Sequence, residues 1–561
     1  MANRFLVGTT WNAAGNWSTT SGGAGGAGVP TGSDDVFCDA NSPSCGIDVN
    51  AVCLSLDSTG YTNTLTQEAT FTLTVGSGNF LWAAGTFAGD NSTIDINGDF
   101  TLSGGTFTNT SGTMTVEDDF TISGGTYANN SGRITFDTAG THTVDIGTEI
   151  FNNVTIDIGG FTLVVTGTMD VDGDLTITNA GAIGTGTIAV AGDVITTDIR
   201  VDGTGTILFD GTGAQTLKVD GAGGTGGLSN FDINKASGTL TILDNINIEA
   251  NWTHTAGTID AGTSTINFNG PTTGTVNDSV TAFNNVIIDR TTFTLVITGT
   301  MDINGDLTIT SVASINTGTI TLAGNLTSND TVVSGTALIT LDGTGAQTIN
   351  GGTGRFPKGT FTINKASGGV TLLAAFVLDA TGQDLIVTSG MFDLNGFNLT
   401  VDDLFTVTDT LVLKGNETIT VGTLTLDQAA STVAFKDSAI TATIDALATA
   451  FFNLTLGASK THNITAGVGN GIEVKGSFAS NGIQSTRSIL RSTVGGTQAE
   501  LNLSGTSALT NNVDVKDSDA SAGNEVQASG SLDSGNNTNW NFAVVAAKTG
   551  GRLGIIGIID E

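Results

Sequence analysis

Acidic residues at alternate positions occur in two duplicated segments of the chain and could bind a divalent cation. The side chains with ligand chemistry are Asp170, Asp172 and Asp174 in the first segment and Asp302, Asn304 and Asp306 in its copy. Residues 95–99 form a third version, and the spacing resembles the start of a calcium loop. The Glu that closes such a loop is missing, and Asx-Gly pairs are ordinary turn residues. We therefore expect turns without a metal or cofactor, with calcium as the alternative.

The densest acidic cluster is Glu117-Asp118-Asp119, and paired carboxylates are the groups that cleave glycosidic bonds. No His, Tyr or Arg lies beside this cluster in the sequence. We therefore expect a solvated turn here and predict that the protein is not an enzyme. A pair of carboxylates assembled across neighbouring coils stays open at this point.

Cysteine and histidine are scarce. The histidines are far apart in sequence, at His142, His254 and His462, so no His/Cys metal site has standard spacing. The cysteines all lie in one short stretch, at Cys38, Cys45 and Cys53. An odd number leaves at least one thiol free or paired between chains, and a bridge between two of the three stays open.

The charge balance excludes two classes of partner. Lys and Arg total 18 against 53 Asp and Glu, which gives a formal net charge of −35. A nucleic-acid backbone or an anionic membrane surface would repel such a chain, so we expect neither as a partner. No run of 18 apolar residues is present, and the first residues lack the apolar core of a secretory signal. We therefore expect synthesis in a cytoplasm.

The elements that position these residues are expected to be short strands. Segments such as 71–75 and 112–116 alternate apolar and polar residues, and Gly-Gly, Asn-Gly, Asp-Gly and Ser-Gly pairs separate the strands. A 20-residue repeat covers 79–98, 99–118 and 119–138. Its equivalent positions hold Phe80, Phe100 and Phe120 in one row and Phe87, Phe107 and Tyr127 in another.

A 20-residue unit with three strands predicts one coil of a parallel β-helix. Stacked coils place equivalent residues above one another, so the aromatic rows become core ladders and Asn or Thr ladders form at the turns. The general chirality of parallel connections predicts a right-handed helix. About 500 residues give on the order of 25 coils and a rod of about 120 Å. We predict an all-β, right-handed parallel β-helix over 71–542, capped at both ends.

A longer duplication lies over the coil repeat. The segment 151–246 returns at 283–373, so that Phe151 corresponds to Phe283. The motif Asp-Gly-Thr-Gly-Ala-Gln-Thr occurs at 210–216 and 342–348, and Ile-Asn-Lys-Ala-Ser-Gly occurs at 233–238 and 363–368, where the offset between the two blocks is slightly shorter. Several coils were therefore duplicated together, which lengthens a solenoid without disturbing its ends.

The two ends differ from the repeats in composition. Residues 1–70 hold Trp11, Trp17 and all three cysteines, and we expect them to cap the first coil or to dock on a partner. Residues 543–561 are apolar and Gly-spaced, which predicts packing on a partner chain, strand addition to one, or folding back on their own cap. The candidate assembly residues in this tail are Leu553, Ile555, Ile556, Ile558 and Ile559.

The opening segment 1–40 and the Asn-rich close resemble repetitive β-helix proteins of tailed bacteriophages. The resemblance is carried by Trp-Asn-Ala-Ala-Gly-Asn-Trp-Ser at 11–18, Val-Pro at 29–30, Asp-Asp-Val-Phe at 34–37 and the close at 536–542. It implies a virion surface component, such as a fibre, spike or decoration protein. The matching positions are structural, so the resemblance implies no catalytic residues.

The expected function is that of a non-enzymatic rod on the surface of a phage particle. Its partners would be other virion proteins and copies of itself, with a trimer by analogy to fibres. An acidic flank rich in Thr and Asn suits weak, multivalent contact with host surface polysaccharide. A bacterial cell-surface or extracellular-filament adhesin is the second hypothesis, and a polysaccharide-degrading β-helix enzyme is the third.

Overall fold

The computed structural model describes residues 2–198, 201–219, 226–278, 282–436, 441–505 and 511–542. Strands make up 55% of the chain, and stacked parallel strands form a β-solenoid of about 24 turns at roughly 20 residues per turn. Within the described ranges, the helical structure is a single 3-10 turn, Ala14–Asn16. The prediction of an all-β parallel β-helix with 20-residue coils is confirmed.

The chain divides into two compact units, 1–319 and 320–561. The most regular coils lie in the first unit, where each coil contributes three strands of three or four residues. These strands are Leu73–Val75, Phe80–Trp82, Thr86–Ala88, Ile94–Ile96, Phe100–Leu102, Thr106–Thr108, Thr113–Val116, Phe120–Ile122, Thr126–Ala128 and Arg133–Phe136.

The aromatic rows of these coils stack in register inside the solenoid. Phe100 pairs with Phe80 of the preceding coil on one side and with Phe120 of the following coil on the other. Phe107 lies between Phe87 and Tyr127, and its ring is parallel to that of Phe87 with the centroids 4.7 Å apart. All six side chains are buried, because the inward positions of each strand alternate with outward-facing residues, mostly Thr, Asp or Ala.

Further along the first unit, strands from two faces of a coil merge into long bent strands. They are Thr162–Val171, Ala182–Val190, Asn230–Ile242, Trp252–Asp260, Asn285–Thr298 and Leu307–Asn316. The pairing register shifts at bends of this kind, for example between Asn234 and Thr239. Gly238 lies in that bend with φ at +79°, a conformation that residues with a Cβ rarely adopt.

The second unit continues the same pattern of parallel strands. Its longer strands are Phe361–Leu372, Leu385–Asp393, Leu399–Val407, Ile419–Thr425 and Gly467–Val474. Its shorter strands include Leu326–Ser328, Leu338–Leu341, Gln347–Asn350, Phe376–Leu378, Thr410–Leu413, Thr432–Phe435, Asn453–Leu456, Thr461–Ile464, Ser488–Ser492, Ala499–Leu503 and Val513–Lys516.

The N-terminal strand covers the edge of the first coil. Ala2–Leu6 pairs in parallel with Asp34–Phe37, and its last residues pair antiparallel with Trp17–Ser18. Trp11 and Trp17 are fully buried, with ring centroids 4.8 Å apart at an edge-to-face angle of 70°. Trp17 Nε1 also donates to the carbonyl oxygen of Trp11 at 2.8 Å. The two tryptophans of the predicted N-terminal cap therefore form one buried pair.

At the other end, the last described coil closes on aromatic residues. Trp540–Asn541 pairs with Val526–Gln527, and the rings of Trp540 and Phe542 stack with their centroids 6.0 Å apart. The tail 543–561, with its five candidate assembly residues, lies outside the described residues. Among the residues that are described, no helix is long and apolar enough to cross a membrane.

Candidate functional site

The calcium-like segments lie at turns between coils. In the first segment, Asp174 accepts a hydrogen bond from the backbone N–H of Asp193 at 2.9 Å and donates its own N–H to Asn153. Burial raises the pKa of Asp170, and the nearby Asp210 and Asp172 carboxylates raise it further. In the copy, the Asp306 N–H donates to Asn285 at 2.8 Å. Among the described residues, no three His, Cys, Asp or Glu side chains form a metal-binding group.

Asx side chains at the turns form the ladder expected between coils. In each rung, the side-chain oxygen accepts a hydrogen bond from a backbone N–H of the next coil, which satisfies a donor that the strand ladder leaves open. The rungs include Asn50–Thr72, Asn153–Asp174, Asp174–Asp193, Asn245–Thr265 and Asn285–Asp306 in the first unit. Asn325–Thr348, Asn398–Thr418 and Asn453–Ser477 repeat the contact in the second unit. Asp174 and Asp306 therefore take part in turns; the expected absence of a metal stays a prediction, with calcium as its alternative.

The acidic cluster at Glu117 belongs to a row of carboxylates on successive coils. Burial raises the pKa of Glu117 and of Asp137, and the Asp95 carboxylate raises both further. A carboxyl with a raised pKa is the kind of group that general acid catalysis uses. The nearest histidine, His142, is fully buried, and its ring nitrogens lie 3.0 Å from Asp118 O and 2.8 Å from Thr138 O. Both ring nitrogens of His142 are therefore taken up by backbone carbonyls, and the ring acts on the acidic row only by lowering the pKa of Asp137.

A polar trough of about 410 Å³ opens on the flank of the first unit. Outward-facing hydroxyl, amide and carboxylate groups from successive coils line it, because side chains at paired positions of parallel strands point to the same face. We call these eight residues the polar trough: Thr206, Asn230, Asp232, Asn251, Thr253, Thr275, Asn277 and Thr298. Its rows are continuous, since Asp232 pairs with Thr253, and Thr253 pairs with Asn277.

Hydrogen bonds fix the floor of the polar trough. Asn251 Nδ2 donates to Asn230 Oδ1 at 2.9 Å, and Asn251 Oδ1 accepts from the N–H of Thr275 at 2.9 Å. Burial raises the pKa of Asp232, while a hydrogen bond with Thr253 acts in the opposite direction. Fixed rows of hydroxyls and amides can exchange hydrogen bonds with a hydroxyl-rich ligand.

The repeated motifs at 210–216 and 233–238 meet at a buried ammonium group, that of Lys235. The sequence patterns did not predict this contact. Lys235 is 1% exposed, and its Nζ donates to Gly211 O at 2.6 Å, to Gly213 O at 3.1 Å and to Gln215 Oε1. These three acceptors match the three N–H donors of an ammonium. Burial lowers the pKa of Lys235, and the Asp210 carboxylate opposes that shift.

The duplicated block repeats this arrangement in the second unit. Lys365 is fully buried, and its Nζ donates to Gly343 O and to Gln347 Oε1. Gln347 in turn donates to Leu322 O at 2.9 Å and to Gly324 O at 2.6 Å. A lysine kept at equivalent positions of both blocks, in a chain with only 18 basic residues, was the available sequence signal.

The three cysteines are buried free thiols in the N-terminal region. Burial raises the pKa of Cys45 to about 12, and the nearby Asp48 and Glu68 carboxylates add to that shift. A thiol with so high a pKa is protonated at neutral pH and is a poor nucleophile. These residues therefore pack as small apolar side chains.

Comparison with protein-family models, curated proteins and solved structures finds no match to this chain.

Proposed function

We propose that this chain is a structural protein of a phage particle surface, a non-enzymatic β-solenoid fibre, spike or decoration component that contacts host surface polysaccharide. Its partners are other virion proteins and further copies of itself, with a trimer by analogy to fibres. The opening and closing segments that resemble phage β-helix proteins support the particle assignment.

The observation that carries the glycan contact is the polar trough. It presents hydroxyl, amide and carboxylate groups in fixed rows, and Asn251 is held from both sides by Asn230 and Thr275. Such groups form hydrogen bonds with sugar hydroxyls at little cost in side-chain ordering, because the side chains are already fixed. Weak contacts of this kind gain strength when many copies act together on one particle.

Two features fit a mechanical role. Buried cations and Asx rungs join neighbouring coils at several places, as Lys235 does for three acceptors of the preceding coil. The three buried thiols do not depend on an oxidising compartment for their packing. A solenoid of this kind gains stability through its nearest-neighbour coil interfaces.

The test needs two preparations. One is antibodies raised against the purified chain, and the other is phage particles induced from a bacterial culture that carries the gene. Gold-labelled antibodies should bind intact particles, and the same antibodies should reduce adsorption of the particles to host cells. Label confined to cell walls or free filaments, with none on particles, would reject the virion assignment and favour the adhesin hypothesis. Release of new reducing ends from host polysaccharide would favour an enzyme.

A further inference from the structure

A second pocket, of about 360 Å³, lies around the corner of the same coils as the polar trough. Two amides and two carboxylates line it: Asn247, Asn269, Glu249 and Asp289. The remaining lining comprises Arg290 and Phe293 together with Gly270, Pro271 and Thr291. We call this cavity the corner pocket. It contains hydrogen-bond donors, hydrogen-bond acceptors and an aromatic ring.

Arg290 forms the inner wall of the corner pocket. The residue is 1% exposed, and its guanidinium donates to Thr272 O at 2.6 Å, to Ala250 O at 3.0 Å and to Ile248 O at 3.2 Å. Burial lowers the pKa of Arg290 to about 10, and the nearby Glu249 carboxylate opposes that shift. The guanidinium therefore stays charged at neutral pH, and its position is fixed.

Two buried polar atoms of this corner have no hydrogen-bond partner among the described residues. They are Nε of Arg290, which is a donor, and Oδ1 of Asn269, which is an acceptor. An unpaired buried polar group costs about 1–3 kcal/mol, so native proteins rarely leave two at one place without a partner. Both atoms are closed to solvent in this structure, so a hydroxyl of a ligand can pair with them only when the two side chains move to meet it.

Phe293 supplies the apolar side of the corner pocket. Its side chain is 37% exposed, although large aromatic rings in this chain are mostly buried in the core. The ring lies at the bend of the long strand Asn285–Thr298, where the pairing register shifts between Arg290 and Thr294. An exposed ring beside fixed polar groups can cover the C–H face of a sugar while the polar groups bind its hydroxyls.

The corresponding corner 132 residues earlier in the chain differs at the positions of Asn269 and Arg290. The offset of 132 residues between Phe151 and Phe283 also holds on the N-terminal side of both blocks, where Glu117 matches Glu249. Within the blocks, Asp157 matches Asp289 and Phe161 matches Phe293. However, Asp137 stands in the place of Asn269, and Ile158 stands in the place of Arg290. The first corner therefore has three carboxylates and lacks the guanidinium, whereas the second has two carboxylates and a cation.

We propose that the corner pocket binds one ring of a neutral saccharide, with the sugar face on Phe293 and its hydroxyls at Asn269, Glu249 and Arg290. The guanidinium offsets one of the two carboxylates, so the remaining charge disfavours acidic sugars. This inference deepens the glycan contact of the proposed function and rests on it. It adds a defined pocket to the weaker contacts of the polar trough.

The test is saturation-transfer NMR on the full chain with methyl glycosides of glucose, galactose, mannose and N-acetylglucosamine, and with methyl glucuronide as the acidic comparison. At least one neutral glycoside should show transfer to its ring-face protons, and the glucuronide should show none. Phe293→Ala should weaken binding by about five- to ten-fold. Asn269→Asp, which installs the residue of the first block, should weaken it as well. Phe161→Ala is the matched control and should leave binding unchanged.

The outcomes separate the corner pocket from the proposed function. Equal binding by the wild type, Phe293→Ala and Asn269→Asp overturns the pocket assignment. If that binding is then lost in the trough variant Asn277→Ala, glycan contact stands without the pocket. Absence of binding to all neutral glycosides also overturns the pocket, while antibody labelling of particles still decides the virion assignment. Unchanged thermal unfolding of each variant shows that the fold is intact.

Discussion

The guanidinium of Arg290 occupies the space that a side chain on Gly274 would need. A Cβ on Gly274 would fall against Arg290 Nη2 and against the carbonyl oxygen of Ala250. At the positions 132 residues earlier, the chain holds Ile158 and His142, and a ring nitrogen of His142 lies 3.0 Å from the equivalent carbonyl, Asp118 O. The two blocks therefore satisfy the same turn with side chains from different strands.

Because Arg290 fills the space beside Gly274, substitutions at positions 274 and 290 should not have additive effects on stability. Gly274→His alone should destabilise the chain by about 1–3 kcal/mol through overpacking. Arg290→Ile alone should also destabilise it, because Thr272 O, Ala250 O and Ile248 O lose a shared donor. The double variant installs the pair found at His142 and Ile158 and removes the clash with Arg290, but a Cβ at position 274 still meets the carbonyl oxygen of Ala250. It should therefore recover part of the loss in urea unfolding. Additive losses in the double variant would contradict the exchange.

The buried lysines should be essential for local stability. Lys235→Met keeps the length of the side chain but leaves Gly211 O, Gly213 O and Gln215 Oε1 without their donor, at an expected cost of about 2–4 kcal/mol. Lys365→Met should behave alike in the second unit. The control is the exposed Lys358→Met, which should change stability little. Chemical denaturation measures the free energy of unfolding of all three variants. An unchanged free energy of unfolding in Lys235→Met would show that the ammonium is dispensable.

The aromatic ladder should fail locally when one ring is removed. Phe107 contacts Phe87, Phe100 and Tyr127, so Phe107→Ala should cost about 3–5 kcal/mol, and Phe107→Leu should cost less. Because a solenoid coil contacts only its neighbours, hydrogen exchange should accelerate in the adjacent coils first. Uniform acceleration over the whole first unit would show that the coils unfold as one cooperative body.

The acidic row predicts a pH effect of definite sign. The pKa values of Glu117 and Asp137 are raised above 4.5 and 3.8, so the folded chain binds these protons more tightly than the unfolded chain. Their stabilisation is present below those ordinary values and is lost as pH rises through the raised ones. Asp137→Asn should therefore raise the melting temperature at neutral pH, and the gain should vanish in acid.

Asp427→Asn is the matched control, and its expected change in stability at neutral pH has the opposite sign. The ammonium of Lys475 lowers the pKa of Asp427 through a hydrogen bond of 2.6 Å, so Asp427→Asn should lose stability at neutral pH and nothing in acid. Melting curves from neutral pH down to well below 3.8, the ordinary pKa of both carboxyls, test both variants. A gain from Asp137→Asn that persists in acid would show that the charge on Asp137 is not its cause.

The fold follows from the sequence because each coil repeats one local pattern. A 20-residue period fixes which residues stack, so Phe80, Phe100 and Phe120 could be placed together from spacing alone. The candidate sites could not be predicted from spacing, because they depend on side chains that reach from one coil to another. Arg290 reaches the carbonyls of Ile248 and Ala250, two coils earlier in the chain, which no local pattern encodes. Outward-facing residues such as Asn277 have the same sequence signature in a binding trough as in any solvated flank.

The most direct test of the virion assignment is cryo-electron microscopy of purified particles induced from the culture that encodes the chain. The account predicts density for a β-solenoid of about 24 coils fixed by one end to the capsid or tail, into which the described coils can be placed. Particles that lack such density, from a culture in which the chain is abundant in cell walls or free filaments, would contradict it.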